Sequence, residues 1–266
     1  MKRRSFLWGA FNLSAVVLPI ARSLANNLTK GVFMITHPSD TRGFANHGWL
    51  KSRHTFSFAD YYNPERMGFG ALRVINDDSV DAGMGFGTHP HRDMEIISIP
   101  LEGALAHRDS EGNSSVIRKG EVQIMSAGTG IYHSEMNASA AEAVKFLQIW
   151  VLPKKLSVKP RYEQKAFTHE ARKNKFLTVV SPDGREGSVS INQNAFFTLV
   201  DLDAGKKLTY EKKSSGNGLY LFVIKGRGEI EGQKFADRDG VGIPSFENLK
   251  VSAETDTELL LMEVPV

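Results

Sequence analysis

Four side chains that can bind a metal ion occur as two pairs, and in each pair a single residue separates the two members. The first pair is His89 and His91, and the second is His133 and Glu135. Because the side chains of a β-strand alternate between its two faces, residues two positions apart point the same way. Two such pairs on neighbouring strands would bring three imidazoles and one carboxylate to a common point.

The types of ligand restrict the kind of metal. The chain has no cysteine, which excludes thiolate-bound zinc, iron–sulfur clusters, disulfides and a cysteine nucleophile. Imidazole nitrogen and carboxylate oxygen suit a divalent transition metal, and a set of four ligands leaves coordination positions for water, substrate or dioxygen. The spacing does not decide which glutamate supplies the carboxylate ligand. Glu95 would lie on the same strand face as His89 and His91, so it is an alternative to Glu135.

Short apolar runs bounded by turn residues follow one another from residue 53 onward, a pattern typical of strands joined by turns. One predicted strand spans 54–58. Prolines and lysines without periodicity predict a linker over 153–165, which separates an N-terminal barrel at 26–152 from a C-terminal barrel at 166–266. We therefore predict an all-β protein made of two consecutive β-barrels.

The second half repeats the strand pattern of the first half without its metal ligands. Its only histidine is His169, near its start, and it has no His-x-His pair. If the two halves are copies of one module, the metal site belongs to the N-terminal barrel alone.

Residues 1–25 have the features of an export signal. Three basic residues at 2–4 precede a mostly apolar stretch at 7–20, and small residues precede a cleavage point after Ala25. The run Arg3-Arg4-Ser5-Phe6-Leu7 is similar to the twin-arginine signal, which exports folded proteins. We therefore expect a periplasmic or exported protein, without stable membrane association once the signal has been removed.

The charge balance argues against nucleic acid as a partner. The chain has 33 Lys and Arg residues against 30 Asp and Glu residues, but four of the basic residues lie in the first 25. The remaining chain thus carries a net charge of −1, with 29 basic and 30 acidic residues. No excess of positive charge is left to bind phosphate groups.

Glycines around the two ligand pairs complete a longer pattern, which resembles the two motifs of the cupin barrel. The match includes one extra residue before Gly103, two extra residues before His133, and Ser126 in place of a proline. The residues that match the first motif are Gly83, His89, His91, Glu95 and Gly103, and those that match the second are Gly120, Gly128, His133 and Asn137.

Further segments carry a closer resemblance. The chain resembles the pirin family over roughly residues 41–266, more strongly in the first half, and this resemblance implies two cupin-type barrels, a bicupin. The segments that carry it are His-Gly-Trp-Leu at 47–50, His-Thr-Phe-Ser-Phe at 54–58, Leu-Arg-Val-Ile-Asn-Asp-Asp at 72–78, Met-Ser-Ala-Gly-Thr-Gly-Ile at 125–131 and Gln-Ile-Trp at 148–150.

The resemblance implies a ligand set. In pirins the His-x-His and His-x-Glu pairs hold the metal, and here these are His89, His91, His133 and Glu135. Glu95 would then support the site without binding the metal. Iron(II) is the expected ion, and nickel, manganese, cobalt, copper or zinc would also suit these ligands.

The resemblance also implies a function, a metal-dependent dioxygenase that cleaves a flavonol such as quercetin with dioxygen. Glu135 is the expected proton acceptor, because a ligating carboxylate can accept a hydrogen bond from the substrate. The alternative is a non-enzymatic, metal- and redox-responsive binding protein, like the nuclear pirins that act with transcription factors. An export signal argues against that nuclear role. We expect the protein to be a monomer.

Overall fold

The computed structural model describes residues 32–266, so the predicted signal at 1–25 lies outside the described residues. The described chain consists almost entirely of β-strands, with one short helix, α1 (His169–Arg172), and two 3-10 turns, Ser39–Thr41 and Arg185–Gly187. The strands of the first half are β1 (Ile35–His37), β2 (Gly43–Asn46), β3 (Leu50–His54), β4 (Leu72–Val80), β5 (Gly85–His91), β6 (Glu95–Glu102), β7 (Ala104–Asp109), β8 (Ser114–Arg118), β9 (Glu121–Ser126), β10 (Ile131–Asn137) and β11 (Val144–Val151). The strands that follow are β12 (Arg161–Ala166), β13 (Leu177–Ser181), β14 (Val189–Ser190), β15 (Phe196–Leu202), β16 (Lys207–Glu211), β17 (Asn217–Lys225), β18 (Gly228–Ile230), β19 (Gln233–Phe235), β20 (Gly240–Ile243), β21 (Asn248–Ala253) and β22 (Thr257–Pro265).

Each half of the molecule is a large sheet facing a small one. In the N-terminal half a seven-stranded sheet, ordered β12-β9-β6-β11-β4-β3-β2, faces a four-stranded sheet, ordered β5-β10-β7-β8. The C-terminal half repeats the arrangement, with the order β1-β20-β17-β22-β15-β13-β14 in its large sheet and β16-β21-β18-β19 in its small sheet. The predicted all-β, two-barrel fold is thereby confirmed.

The main core lies between the two large sheets. Ile97 and Leu147 of the first sheet and Phe197 and Phe222 of the second belong to one buried cluster that joins the halves. The central strands of these sheets are buried on both faces, since the opposite face of each lines the interior of its own barrel. Strands buried on both faces read as continuous apolar runs, as β17 does over Leu219–Ile224.

The two halves also exchange strands. β1 pairs with β20 in the C-terminal sheet, although it precedes the whole N-terminal barrel in sequence. β12, most of which falls in the predicted linker, pairs along its full length with β9 of the N-terminal sheet. The chain outside these two strands follows the predicted order, one barrel after the other.

One predicted strand differs in position. Strand β3 ends at His54, and residues 55–58 leave the ladder, with a single bridge between Phe58 and Tyr61. The chain reverses at Ala59, whose φ is +48°, while Phe56 is buried in the main core. The alternation of apolar residues at 54–58 therefore reflects a packed turn. None of the helices in the described chain has the length and apolarity needed to cross a membrane.

Candidate metal centre

The two ligand pairs lie on adjacent strands of the small N-terminal sheet. Strands β5 and β10 run antiparallel, and their register places His133 directly opposite His89 and Ile131 opposite His91. A bulge follows His133, so that Glu135 lies opposite Phe86. The alternation predicted from the spacing is thus present, and the bulge changes the direction of the strand between the two members of the second pair.

Three imidazoles form a compact cluster at this position. The ring centroids are 4.9 Å apart for His89 and His91, 4.5 Å for His89 and His133, and 4.9 Å for His91 and His133. One candidate ligand nitrogen from each ring lies within 4.8 Å of the other two. Nδ1 of His89 donates to the Gly87 carbonyl at 2.7 Å, which fixes the proton on Nδ1 and leaves Nε2 with a free lone pair.

His133 has the environment of a metal ligand. It is buried, yet neither of its ring nitrogens has a hydrogen-bond partner within the described chain. Burial, followed by the nearby imidazoles of His89 and His91, lowers its pKa to about 2, and burial also lowers the pKa of His91 to about 4. Neutral imidazoles with unused lone pairs are the form that binds a cation, and leaving such groups unpaired costs free energy. The donor set fits a divalent transition metal.

Glu135 lies beside this cluster and forms a second one with His107 and His133. Its carboxylate is fully buried, and Oε1 accepts from the Ser98 hydroxyl at 3.1 Å while Oε2 accepts from the Gln148 amide at 2.6 Å. Burial raises the pKa of Glu135 to about 7, although both hydrogen bonds lower it. The structure thus places Glu135 next to His133, and it lines the same cavity as His89 and His91.

His107 is the member of the site that sequence reasoning missed. Its Nε2 lies 3.1 Å from Oδ2 of Asp109, which can only accept, so Nδ1 carries the lone pair. That nitrogen is buried and has no hydrogen-bond partner in the chain from residue 32 onward, and the ring lies 5.3 Å from the ring of His133. His107 reaches the site because β7 pairs with β10 in a register that places it opposite Glu135. Residue spacing does not predict that pairing, and the one local sign of a role for His107 is that Asp109 lies two residues after it.

Glu95, the competing carboxylate, has a different role in the structure. It is buried on β6, where Oε2 accepts from the Ser126 hydroxyl at 2.8 Å and from the Asn192 backbone amide at 3.1 Å. It belongs to neither cluster of candidate ligands among the described residues. Glu95 therefore connects the N-terminal barrel to the second half of the chain.

A cavity of about 360 Å³ opens onto the cluster between the two sheets of the N-terminal barrel. His89, His91 and Glu135 line it, and its size falls in the range of small-molecule sites. Met125 and Phe146 of the same barrel do not line the cavity and are buried in hydrophobic clusters. The aromatic residues that line the cavity are Phe44, Phe58, Tyr61, Phe86 and Trp150.

A second buried carboxyl, Asp78, lines the cavity and gives the folded protein a testable pH dependence. Burial raises its pKa from 3.8 to about 7. The folded state therefore holds the proton more tightly than the unfolded state. As pH rises between the two pKa values, Asp78 ionises in the unfolded state first, and the free energy of unfolding falls.

We expect the wild-type protein to lose stability relative to Asp78→Asn between pH 4 and 7, by at most about 1.4 kcal/mol per pH unit, with no further change above that range. Urea denaturation of both metal-free proteins across this range measures the difference. A difference that does not vary with pH would contradict the prediction. Comparing the two proteins cancels the opposite contribution of the buried histidines.

Comparison with known proteins places the chain in a family. The family model described as Pirin matches residues 36–151, and the model described as Quercetinase C-terminal cupin domain matches residues 178–264. Both clusters of candidate ligands found in the described chain fall within the first match.

Full-length relatives agree with these matches. A protein of Escherichia coli strain K12 named quercetin 2,3-dioxygenase is 46% identical over 231 residues, which cover 85% of this chain and 96% of that protein. A pirin-like protein of Caulobacter vibrioides is 40% identical over 227 residues, which cover 85% and 97% of the two chains. The crystal structure of the bacterial pirin YhhW from Escherichia coli, in complex with nickel(II), aligns with a TM-score of 0.83 and 43% identity over 88% of this chain and 99% of that one. The chain belongs to the pirin family.

Proposed function

We propose that the protein is a metal-dependent dioxygenase that cleaves flavonols such as quercetin. The observation that carries this proposal is the cluster of three imidazoles beside a cavity lined by aromatic side chains. The names of relatives at 46% identity support the choice of reaction.

The proposed ligands are His89, His91, His133 and Glu135. Iron(II) is the proposed ion, and nickel, manganese, cobalt, copper or zinc would fit the same nitrogen and oxygen donors. When bound, the metal supplies a Lewis acid with open coordination positions for substrate and dioxygen.

The protein's own residues supply binding, orientation and a proton acceptor. Phe86 and Trp150 lie on the cavity wall, where the faces of a flat polyphenol can pack against aromatic rings. Glu135 is the proposed proton acceptor for the acidic hydroxyl of the flavonol. It lines the cavity beside His133, where a hydroxyl group of a bound substrate can reach it.

Oxygen uptake with quercetin tests the proposal directly. We expect metal-loaded wild-type protein to consume dioxygen when quercetin is added, and the metal-stripped protein and the His89→Ala variant to consume none above background. His89 is the informative position, because its Nδ1 donates to the Gly87 carbonyl, so that Nε2 is the nitrogen that would bind the metal. An electrode trace with quercetin, with a second trace following loss of the flavonol absorbance, measures the result.

The same assay distinguishes a dioxygenase from a non-enzymatic binding protein. A metal- or redox-responsive binding protein of this family would hold the ion without flavonoid-dependent oxygen uptake. Absence of uptake by protein shown to contain one metal per chain, across a panel of flavonols, would overturn the dioxygenase proposal.

We also propose that residues 1–25 direct export and are removed. We expect the mature protein from a periplasmic fraction to begin at Asn26, and a variant with Lys in place of both Arg3 and Arg4 to remain in the cytoplasm, because the twin-arginine pathway requires the arginine pair. N-terminal sequencing and fractionation measure the two results. A mature protein that still begins at Met1 would contradict cleavage.

A further inference from the structure

The inner face of the seven-stranded sheet presents a row of buried polar side chains to the cavity, which we call the polar floor. Across β3 and β4, Ser52 lies opposite Asp78 and His54 lies opposite Asn76, and β11 adds Gln148 opposite Asn76. All five line the cavity, and all five are buried. Polar groups are costly at such depth, so each needs a hydrogen-bond partner.

Most of the polar floor is paired internally. Nδ1 of His54 lies 2.7 Å from the Asn76 amide oxygen, and the Gln148 amide donates to Glu135 at 2.6 Å. Ser98 donates to the other oxygen of Glu135 at 3.1 Å. The carboxylate of the proposed metal ligand is therefore already hydrogen-bonded by the protein.

Asp78 is the exception. It is 4% exposed, and its Oδ1 has no hydrogen-bond partner in the part of the chain that the structure describes. Trp150, on β11 of the same sheet, also lines the cavity, and its buried Nε1 is a donor that has no acceptor among the described residues. An unpaired buried acceptor and an unpaired buried donor in one cavity fit a ligand that carries both hydroxyl and carbonyl groups.

We propose that Asp78 is a substrate-binding residue, whose carboxyl group accepts a hydrogen bond from a hydroxyl group of a polyhydroxylated aromatic ligand. The chemical class of the ligand rests on the proposed function, whereas the role of Asp78 rests on its burial, its position in the cavity and its unpaired oxygen. Asp78 then selects among flavonoids by the position of their hydroxyl groups, because a methyl ether at that position would leave the carboxyl unpaired.

Binding to metal-loaded protein without dioxygen separates this role from turnover. The probes are quercetin and a set of its mono-O-methyl ethers, titrated calorimetrically under nitrogen into the wild-type protein and into the Asp78→Asn and Asp78→Leu variants. Leucine keeps the branched shape without any acceptor, and asparagine keeps one neutral acceptor if leucine impairs folding. Asp81→Asn is the matched control, because Asp81 is exposed, lies three residues away and does not line the cavity.

We expect wild-type protein and Asp81→Asn to bind quercetin about tenfold or more tightly than at least one methyl ether, the loss that follows when a charged hydrogen bond is removed. This ratio should fall toward one in Asp78→Leu and take an intermediate value in Asp78→Asn. The same ratio in wild type and both variants would overturn the role of Asp78. Binding with this pattern, but without oxygen uptake in air, would overturn the dioxygenase and leave Asp78 as a binding residue. No binding of any probe by the wild-type protein would overturn both.

Discussion

Replacing His133 with alanine should abolish metal binding and flavonol-dependent oxygen uptake together. The imidazole of His133 is central to the site, since it is a member of both clusters of candidate ligands and its two buried nitrogens have no partner within residues 32–266. Loss of a group that only supports a ligand costs about ten- to a hundredfold in metal affinity, and loss of a ligand should cost more. Metal analysis after gel filtration and the oxygen electrode measure the two effects.

Thermal unfolding gives an independent measure of the same substitution. We expect added metal to raise the melting temperature of the wild-type protein, because an ion that binds only the folded state stabilises it by about 4 kcal/mol at a thousand times its Kd. The His133→Ala variant should show no such rise. Without metal the variant should melt close to the wild type, because the substitution also removes a buried imidazole whose nitrogens are unpaired.

His169→Ala is the matched control for His133. The imidazole of His169 is 59% exposed, pairs with Asp201 and lies in the second half of the chain, away from the cavity. We expect this variant to keep its metal, its metal-induced stabilisation and its oxygen uptake. A His133→Ala protein that still binds one metal with wild-type affinity would show that the assigned ligand set is wrong.

The second large effect should come from Gly85→Ala. Gly85 lies opposite Met136 where β5 meets β10, and an added Cβ would lie 2.5 Å from the Met136 Cα and even closer to the Glu135 carbonyl oxygen. Both contacts are with backbone, which cannot rotate away as a side chain would. Overpacking of this kind costs about 1–3 kcal/mol, and relief requires β5 to separate from β10, which would move the two ligand pairs apart.

Gly87→Ala provides the comparison, because it makes the same chemical change two residues away. A Cβ at Gly87 would meet no atom within 4 Å, and the carbonyl that accepts from His89 remains. We expect Gly87→Ala to unfold within about 0.5 kcal/mol of the wild type and to bind metal normally. Urea denaturation and metal titration of both variants test the pair. Equal behaviour of the two variants would show that the close approach of β5 and β10 is not required.

Much of the site was predictable because strand alternation is a local property. The spacing of His89 and His91 predicted that both side chains share a face, and the structure places both rings on the cavity. The same reasoning could not choose between Glu95 and Glu135, since each lies an even number of positions from a candidate histidine ligand and alternation allows both. The structure separates them: Glu95 accepts from Asn192 in the second half, and Glu135 lies beside His133.

Three features of the site depended on contacts that sequence spacing does not encode. His107 reaches His133 through the pairing of β7 with β10. Asp78 belongs to the segment Leu72–Asp78, which resembles a family motif. Only the tertiary structure shows that its carboxyl is buried at the cavity and that Oδ1 has no partner among the described residues. The bulge after His133 shifts the register between the two members of the second pair.

Composition and residue spacing set the chemistry available to this protein. The absence of cysteine restricts the metal ligands to nitrogen and oxygen donors, and period-two spacing and turn residues predict strands and an all-β fold. Which donors meet, and which carboxyl oxygens find a hydrogen-bond partner, depends on strand register, bulges and the packing of one sheet against another. These features arise from pairings between residues that are distant in the chain. Alternation fixes the face on which a side chain lies, and only packing fixes what lies opposite it.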